Sequence, residues 1–290
     1  MISIDTAICN GCGMCADVCP DYVLHKISQT GMIDVRHPAL CCECGHCAAI
    51  CPQNAITGLS HPQKAIDKQP GDVISPDMME HLLLSRRSIR QYKPEAIPET
   101  VMASLMTAAA NAGTGGNTQT TEFMVIRDTT LIGQLEQQVI RSVWRSGLML
   151  VKSHGRVEQL LRKKLGPVIA HQFASYHDII KNRRTDKQLP GMIFRNAPVI
   201  IVAHDIQGNP MGHANCAIAL RNMEIMALPH GLGTCWSGWL MSAAMKQRRK
   251  IHKLLQMPLD REIGGAIMAG YPRYTYARVP QRKERTIVYR

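Results

Sequence analysis

Cys41-Cys42-Glu43-Cys44-Gly45-His46-Cys47-Ala48-Ala49-Ile50-Cys51-Pro52 repeats, register for register, an earlier run, Cys9-Asn10-Gly11-Cys12-Gly13-Met14-Cys15-Ala16-Asp17-Val18-Cys19-Pro20. Both read Cys-x-x-Cys-x-x-Cys-x-x-x-Cys-Pro, 32 residues apart. Three thiolates on so tight a loop can cap three irons of one cubane, while the fourth, leaving just ahead of the proline, ligates the other cluster. The spacing therefore assigns one [4Fe-4S] cluster to Cys9, Cys12, Cys15 and Cys51, and a second to Cys41, Cys44, Cys47 and Cys19. Crossed ligation of this kind also makes a fold. It ties each half of the segment to the other through metal and sulfur, where the apolar core is too small to do so alone.

Zinc ribbons use paired cysteines separated by a long gap, and disulfide frameworks belong to secreted chains. Neither produces two identical four-cysteine runs, each closed by a proline. On these motifs residues 1–60 resemble a bacterial-type two-cluster ferredoxin. Cys42 has no ligand slot in that scheme and is read as a spare thiol. His46 is read as a loop residue able to hydrogen-bond a cluster sulfur, not as an iron ligand.

The chain has 290 residues, which leaves room beyond this segment for one domain of ordinary size with a sizeable core. Eleven cysteines without an export signal imply a reducing compartment. Met1 to Ile8 is too short and too polar for an export segment, and no later run has the length of apolar sequence that a span requires, so the expectation is a cytoplasmic protein with no membrane partner. The net charge of +12 is unevenly placed. Up to residue 60, Asp5, Asp17, Asp21, Asp34 and Glu43 outnumber Lys26 and Arg36, giving −3 there and +15 in the remainder. Such a remainder invites a nucleic-acid reading. No helix-turn-helix, RNA-binding sheet signature or zinc finger accompanies it, so the basic groups are assigned to an anionic cofactor, a solvated surface or an acidic redox partner.

Gly58, His61-Pro62, Pro70-Gly71 and Ser75-Pro76 punctuate a stretch with little apolar periodicity, so residues 61–75 read as a linker between a domain at 1–60 and another at 76–290. Ser75 is a good N-cap and Pro76 fits the first helical position, which predicts a helix carrying Met78, Met79, Leu82 and Leu83 inward. It runs into Arg86-Arg87-Ser88-Ile89-Arg90, where three guanidinium groups and a hydroxyl can fork around one phosphate. Glu99 to Ala112 has helical apolar spacing and opens into the polar loop Asn111-Ala-Gly-Thr-Gly-Gly-Asn117-Thr-Gln119, ahead of a strand at 123–127. A helix over 128–147, a buried strand within 197–205, an apolar helix holding Cys216 in the core, a strand at 263–269 and an extended tail from Tyr271 follow. Cys235 is read as a small packed residue.

Arg86-Arg87-Ser88-Ile89-Arg90-Gln91-Tyr92, Asn117-x-Gln119, Gly231-Leu-Gly-Thr-Cys-Trp-Ser-Gly238, Gly270-Tyr-Pro and a closing Arg282-Lys283 together resemble the motifs of the nitroreductase family of FMN enzymes. The resemblance covers roughly residues 76–290. It implies an α+β fold with an antiparallel-rich sheet flanked by helices, built as an intertwined homodimer with FMN in each interface pocket. Carried over by position, Arg86, Arg87, Ser88 and Arg90 hold the FMN phosphate and ribityl chain, with Arg282 or Lys283 completing the clamp. Gly113, Thr114, Gly115 and Asn117 match the loop that reaches the flavin from the other subunit, and Trp236, Ser237 and Gly238 the segment lying against the ring near N5. Two departures stand out. The family loop commonly has Pro and an aromatic where this chain has Thr120 and Thr121, and serines where this chain is glycine-rich ahead of Asn117. Residues 148–195 fall where the family carries variable lid helices, so Phe173, Tyr176, His177 and Arg195 are candidates to overhang the flavin, although packing or surface roles are the simpler reading.

A cubane moves one electron at a time, whereas a flavin also delivers hydride. The combination implies a converter: a low-potential donor such as reduced ferredoxin charges the clusters, they feed FMN, and the flavin reduces a small nitroaromatic, quinone or activated alkene. No side-chain nucleophile is expected, because no Ser-His-Asp or Cys-His arrangement is legible. Two alternatives stay open: NAD(P)H as reductant with the clusters as an exit, and an electron carrier or redox sensor that turns over no small molecule.

Overall fold

A computed structural model describes residues 2–58, 74–152, 159–160, 163 and 191–290. Residues 61–73 of the expected linker, and the lid candidates Phe173, Tyr176 and His177, lie outside the described residues. The chain divides into two compact units, one of Met1–Ile74 with Thr114–Gln119, the other of Ser75–Gly113 with Thr120–Arg290.

The first unit is built on the repeat. Strand β1 (Ser3–Ile4) precedes helix α1 (Met14–Asp17), β2 (Leu24–Lys26) and β3 (Ile33–Val35). Helix α2 (His46–Ile50) and β4 (Ile56–Thr57) follow. The first and last strands pair antiparallel, Ile4 opposite Ile56, and β2 pairs with β3, Leu24 opposite Val35. Val23, Leu24 and Ile33 share a small core with Cys15 and Cys47, so the cysteine loops are themselves core material. The loops turn through left-handed glycines. At Gly11, with φ of 67°, a Cβ would stand 2.7 Å from the Gly31 carbonyl oxygen. That position therefore admits only glycine.

The second unit opens with α3 (Pro76–Ser85), where the Ser75 hydroxyl accepts from the Met78 N–H at 3.2 Å, the cap its sequence implies. Then come α4 (Glu99–Ala110), β5 (Glu122–Ile126), α5 (Thr129–Lys152), β6 (Val199–Ile206), α6 (Gly212–Ala227), β7 (Gly233–Trp236), α7 (Gly238–Lys246), α8 (Arg248–Leu255) and β8 (Arg261–Gly270). Among the described residues the strands form one antiparallel sheet in the order β5-β6-β8-β7. Strand β6 is apolar from Val199 to Ala203 because both its faces are covered there. Ile200 and Val202 join a core with Leu135 of α5, Leu240 of α7 and Ile251 of α8. Val199, Ile201 and Ala203 face Met102 and Leu105 of α4 and Leu220 and Met223 of α6. This is the expected helix-flanked α+β arrangement.

Several expectations shift. Helix α3 does not carry Met78 and Leu83 inward: they are 67% and 42% exposed, and α3 buries no residue. Its amphipathic pattern is real, but the spacing of apolar residues does not say which chain covers them. Strand β5 starts and ends one residue earlier than expected: Glu122 pairs with His204, and Arg127, beyond the strand, gives its guanidinium to both carboxylate oxygens of Glu99. Cys216 lies in α6 with no exposure, its thiol pushed up to about 12 by burial. The tail is stitched at its start, where the Lys93 N–H donates to the Tyr271 carbonyl and the Arg273 N–H to that of Gln91, and beyond it is exposed.

Candidate functional site

In the first unit Cys15 has Cys12 of its own run and Cys51 of the other beside it, and Cys47 has Cys44 and Cys41. Burial pushes the Cys15 thiol up, and both Cys12 and Cys51, the latter from the second motif, are close enough to add to that effect. Burial pushes Cys47 up to about 11, with Cys44 and Cys41 as its thiol neighbours. The fourth cysteine of each run accepts a backbone hydrogen bond four residues on: Val23 N–H to Cys19 Sγ at 3.2 Å, and Ala55 N–H to Cys51 Sγ at 3.3 Å. Donors of this kind stabilise negative charge on sulfur. Among the described residues no three His, Cys, Asp or Glu side chains converge around a point suited to a single metal ion. Cys42 lies beside Cys44. Its N–H donates to Asp21 Oδ2 at 3.1 Å, and its thiol is pushed up to about 12, first by hydrogen bonding to Asp21 and then by burial. His46 is exposed as the first residue of α2.

The glycine-rich loop also belongs to this unit. Residues 115–117 form a short 3-10 turn, Asn117 takes a left-handed φ of 52°, and its amide donates to the Cys42 carbonyl at 2.9 Å. Thr120 and Thr121, the departures noted in the sequence, donate their hydroxyls to the two oxygens of Asp205 in β6 at 2.6 and 2.8 Å.

In the second unit a cavity of about 320 Å³ opens where β7 passes into α7. Arg90, Arg195, Cys235, Trp236, Ser237 and Gly238 are among its lining residues. The strap of Arg86 to Arg90 reaches it by running alongside β7, the edge strand: Ser88 bridges Thr234, and the Ile89 N–H donates to the Thr234 carbonyl at 2.9 Å. The Tyr92 hydroxyl holds the strap by donating to the Ile89 carbonyl at 2.8 Å. Ser237 sits at the N-terminus of α7, where backbone N–H groups and the helix dipole favour negative charge.

Glu224 of α6, only 3% exposed, organises this wall and had no signal in the sequence beyond being a lone acid in an apolar helix. One of its carboxylate oxygens accepts from Thr234 Oγ1 at 2.9 Å and lies 3.7 Å from the Arg86 guanidinium; the other accepts from Trp236 Nε1 at 3.0 Å. Arg86 therefore faces a buried carboxylate. Arg87 differs: Nη1 donates to the Arg86 carbonyl at 2.6 Å, while Nε and Nη2 are buried without a partner. The Ser237 hydroxyl, 1% exposed, is likewise without a partner. Buried donors left unmatched are costly, which fits a site shaped for an anionic, hydrogen-bonding ligand. The Cys235 thiol is held up by burial, against the pull of Arg90, Ser88 and Arg195, so it is not poised as a nucleophile.

Of the residues named from sequence, the structure brings Arg90, Trp236, Ser237 and Gly238 to one cavity with Arg195. Arg86, Arg87, Ser88, Gly113, Thr114, Gly115 and Asn117 are not among its lining residues, and Arg282 and Lys283 stand exposed in the tail.

An antiparallel sheet between two helical layers, with an anion-suited cavity at the β7–α7 junction, defines a cofactor-binding α+β domain behind an iron–sulfur segment. Residues 83–271, more than half of the chain, match the Nitroreductase family, and the chain belongs to it. Residues 8–56 match the 4Fe-4S dicluster domain. Similar solved structures include a nitroreductase with bound FMN from Desulfitobacterium hafniense DCB-2, at TM-score 0.53 and 19% identity over 74% of this chain and 100% of that one. A BluB-like flavoprotein from Clostridium difficile 630 aligns at TM-score 0.52 and 18% identity, over 73% and 99%. A nitroreductase with bound FMN from Bacteroides fragilis NCTC 9343 aligns at 0.50 and 18%, over 72% and 94%. At these identities the likeness is one of fold. No curated protein matches the chain.

Proposed function

We propose that the protein is an iron–sulfur flavoprotein oxidoreductase that takes electrons from a low-potential donor such as reduced ferredoxin and reduces a small acceptor over an FMN held in the second unit's cavity. The observation that carries this reading is the unmatched buried hydroxyl of Ser237 in the cavity wall, with the unmatched Nε and Nη2 of Arg87 on the strap that also brings Arg90 to it, in a chain that also bears two four-cysteine loops. Bound there, FMN supplies conversion between single electrons and hydride.

The chain's residues bind and orient. Arg87 and Arg90 serve the phosphate with Ser88, and Arg86 acts mainly by fixing the strap to Glu224. Ser237 and the first N–H groups of α7 hold negative charge on the ring. The wall from Trp236 to Gly238 sets the ring's plane, and Arg195 overhangs the acceptor. The roles of Gly113, Thr114, Gly115 and Asn117, and of Arg282 or Lys283, toward FMN require a second subunit. A homodimer is supported by the exposed apolar residues of α3, Met78, Leu83 and Leu84, and of the tail, Ile287, Val288 and Tyr289. No helix among the described residues is long and apolar enough to cross a membrane.

Protein purified without oxygen is expected to show flavin bands over a broad cluster shoulder, with about eight irons per chain. Arg87→Met is expected to weaken FMN binding by about 10- to 100-fold, the loss of one or two charged hydrogen bonds, while iron content stays unchanged. Full flavin occupancy in that variant would remove the phosphate assignment. Stopped-flow mixing with reduced ferredoxin or NADPH identifies the donor: faster bleaching by NADPH overturns the ferredoxin route.

A further inference from the structure

We propose that the two clusters are electrostatically inequivalent. Lys26 holds the cluster of Cys9, Cys12, Cys15 and Cys51 at the higher reduction potential, and Asp21 holds the cluster of Cys41, Cys44, Cys47 and Cys19 at the lower. This rests on the two-cluster reading of the first unit.

The argument comes from where the repeat breaks. Features that the two copies share cannot separate their potentials. The N–H···S bonds at Cys19 and Cys51 are counterparts, since Val23 and Ala55 are 32 residues apart, and Cys15 and Cys47 are equally buried, each 6% exposed. The charges are not shared. Lys26 Nζ donates to the Cys12 carbonyl at 3.2 Å, and its stem lies across the loop, where a Cβ on Gly13 would meet Lys26 Cδ at 2.8 Å. The position 32 residues on is Gly58, so Lys26 has no counterpart in the repeat. Asp21 accepts from the N–H of Cys42, between the ligands Cys41 and Cys44. The counterpart of Asp21 is neutral Gln53, and the counterpart of Glu43, inside the second loop, is Gly11.

The remaining charges of the unit do not reverse this. Asp34 and Arg36 pair with each other at 3.0 Å. Asp17, whose counterpart is Ala49, stands in the sequence between Cys15 of one cluster and Cys19 of the other and so singles out neither. Asp5, ahead of Cys9, opposes Lys26, but it is exposed and its Oδ1 accepts from the Ala7 N–H. Reduction adds negative charge to a cluster, so a nearby cation favours it and a nearby carboxylate disfavours it. Greater solvent exposure at Cys12 than at Cys44 acts in the same direction. An electron from a one-electron reductant therefore settles first on the Cys9 cluster, and the Cys41 cluster is the stronger reductant of the two.

The test is an anaerobic redox titration with dithionite and mediators, followed by EPR, on holoprotein whose iron content has been measured. Two midpoints are expected. Lys26→Met lowers the upper one and leaves the lower in place, and Lys26→Arg leaves both. Asp21→Asn raises the lower one, while Asp21→Glu does not. Added salt moves the upper midpoint down, because Lys26 is exposed and screened. A single shared midpoint at full iron content overturns the proposal and leaves the two-cluster reading standing, as does Lys26→Met leaving both midpoints unmoved or shifting the lower one. Iron for only one cluster would instead sink the reading beneath it. Should Asp21→Asn fail to load iron, the Lys26 pair decides alone.

Discussion

Glu224 shows how much one buried side chain can do. Its carboxylate receives Thr234 and Trp236 and neighbours Arg86, so strap, edge strand and helix meet on two oxygen atoms. Removing one partner of a buried pair strands the others, at about 3–5 kcal/mol. Glu224→Ala is expected to lower the urea midpoint accordingly, with Glu224→Gln less damaging because it keeps an acceptor for Thr234. Asp205 gives a pH-dependent counterpart. Burial works against its ionised form, but the hydroxyls of Thr120 and Thr121 and the amide of Asn209 prevail, bringing the carboxyl down to about 2. Its folded value is below its unfolded one, so its contribution is complete above about pH 4 and is lost as the pH falls toward 2. The stability gap between wild type and Asp205→Asn should therefore be open near neutrality and close across that window. A gap independent of pH would remove Asp205 as its source.

Among the elements, β8 and α6 approach most closely, through glycine. A Cβ on Gly264 would lie 2.7 Å from Cys216 Cβ and 3.3 Å from the Gly212 carbonyl oxygen, neither of which can swing away. Gly264→Ala is expected to cost about 1–3 kcal/mol by overpacking, read as a lower midpoint in thermal unfolding. The Thr114–Gln119 loop makes a different point. Family resemblance points it at a flavin, whereas in this structure it groups with the cysteine loops and fixes the Cys42 carbonyl through Asn117. Helix α3 is the converse case, a correctly placed element whose apolar residues stay exposed in one chain.

For the assembled protein, those residues carry the dimer proposal. Met78→Glu with Leu83→Glu should leave the fold of a single chain intact, since both positions are exposed, and move the protein from dimer to monomer in size-exclusion chromatography. An unchanged dimer would place the interface elsewhere. The dicluster segment, the cap at Ser75 and the strands flanking the cavity were legible in the sequence, because spacing along the chain and the chemistry of a thiol, a hydroxyl or a β-branched run are local properties. Glu224, the unmatched hydroxyl of Ser237, the Thr120 and Thr121 grip on Asp205, and the placing of Lys26 on the first cysteine loop and Asp21 on the second emerged only on folding. Each depends on residues far apart in sequence meeting at hydrogen-bond distance, and that is settled by how helices and strands pack, which no periodicity records.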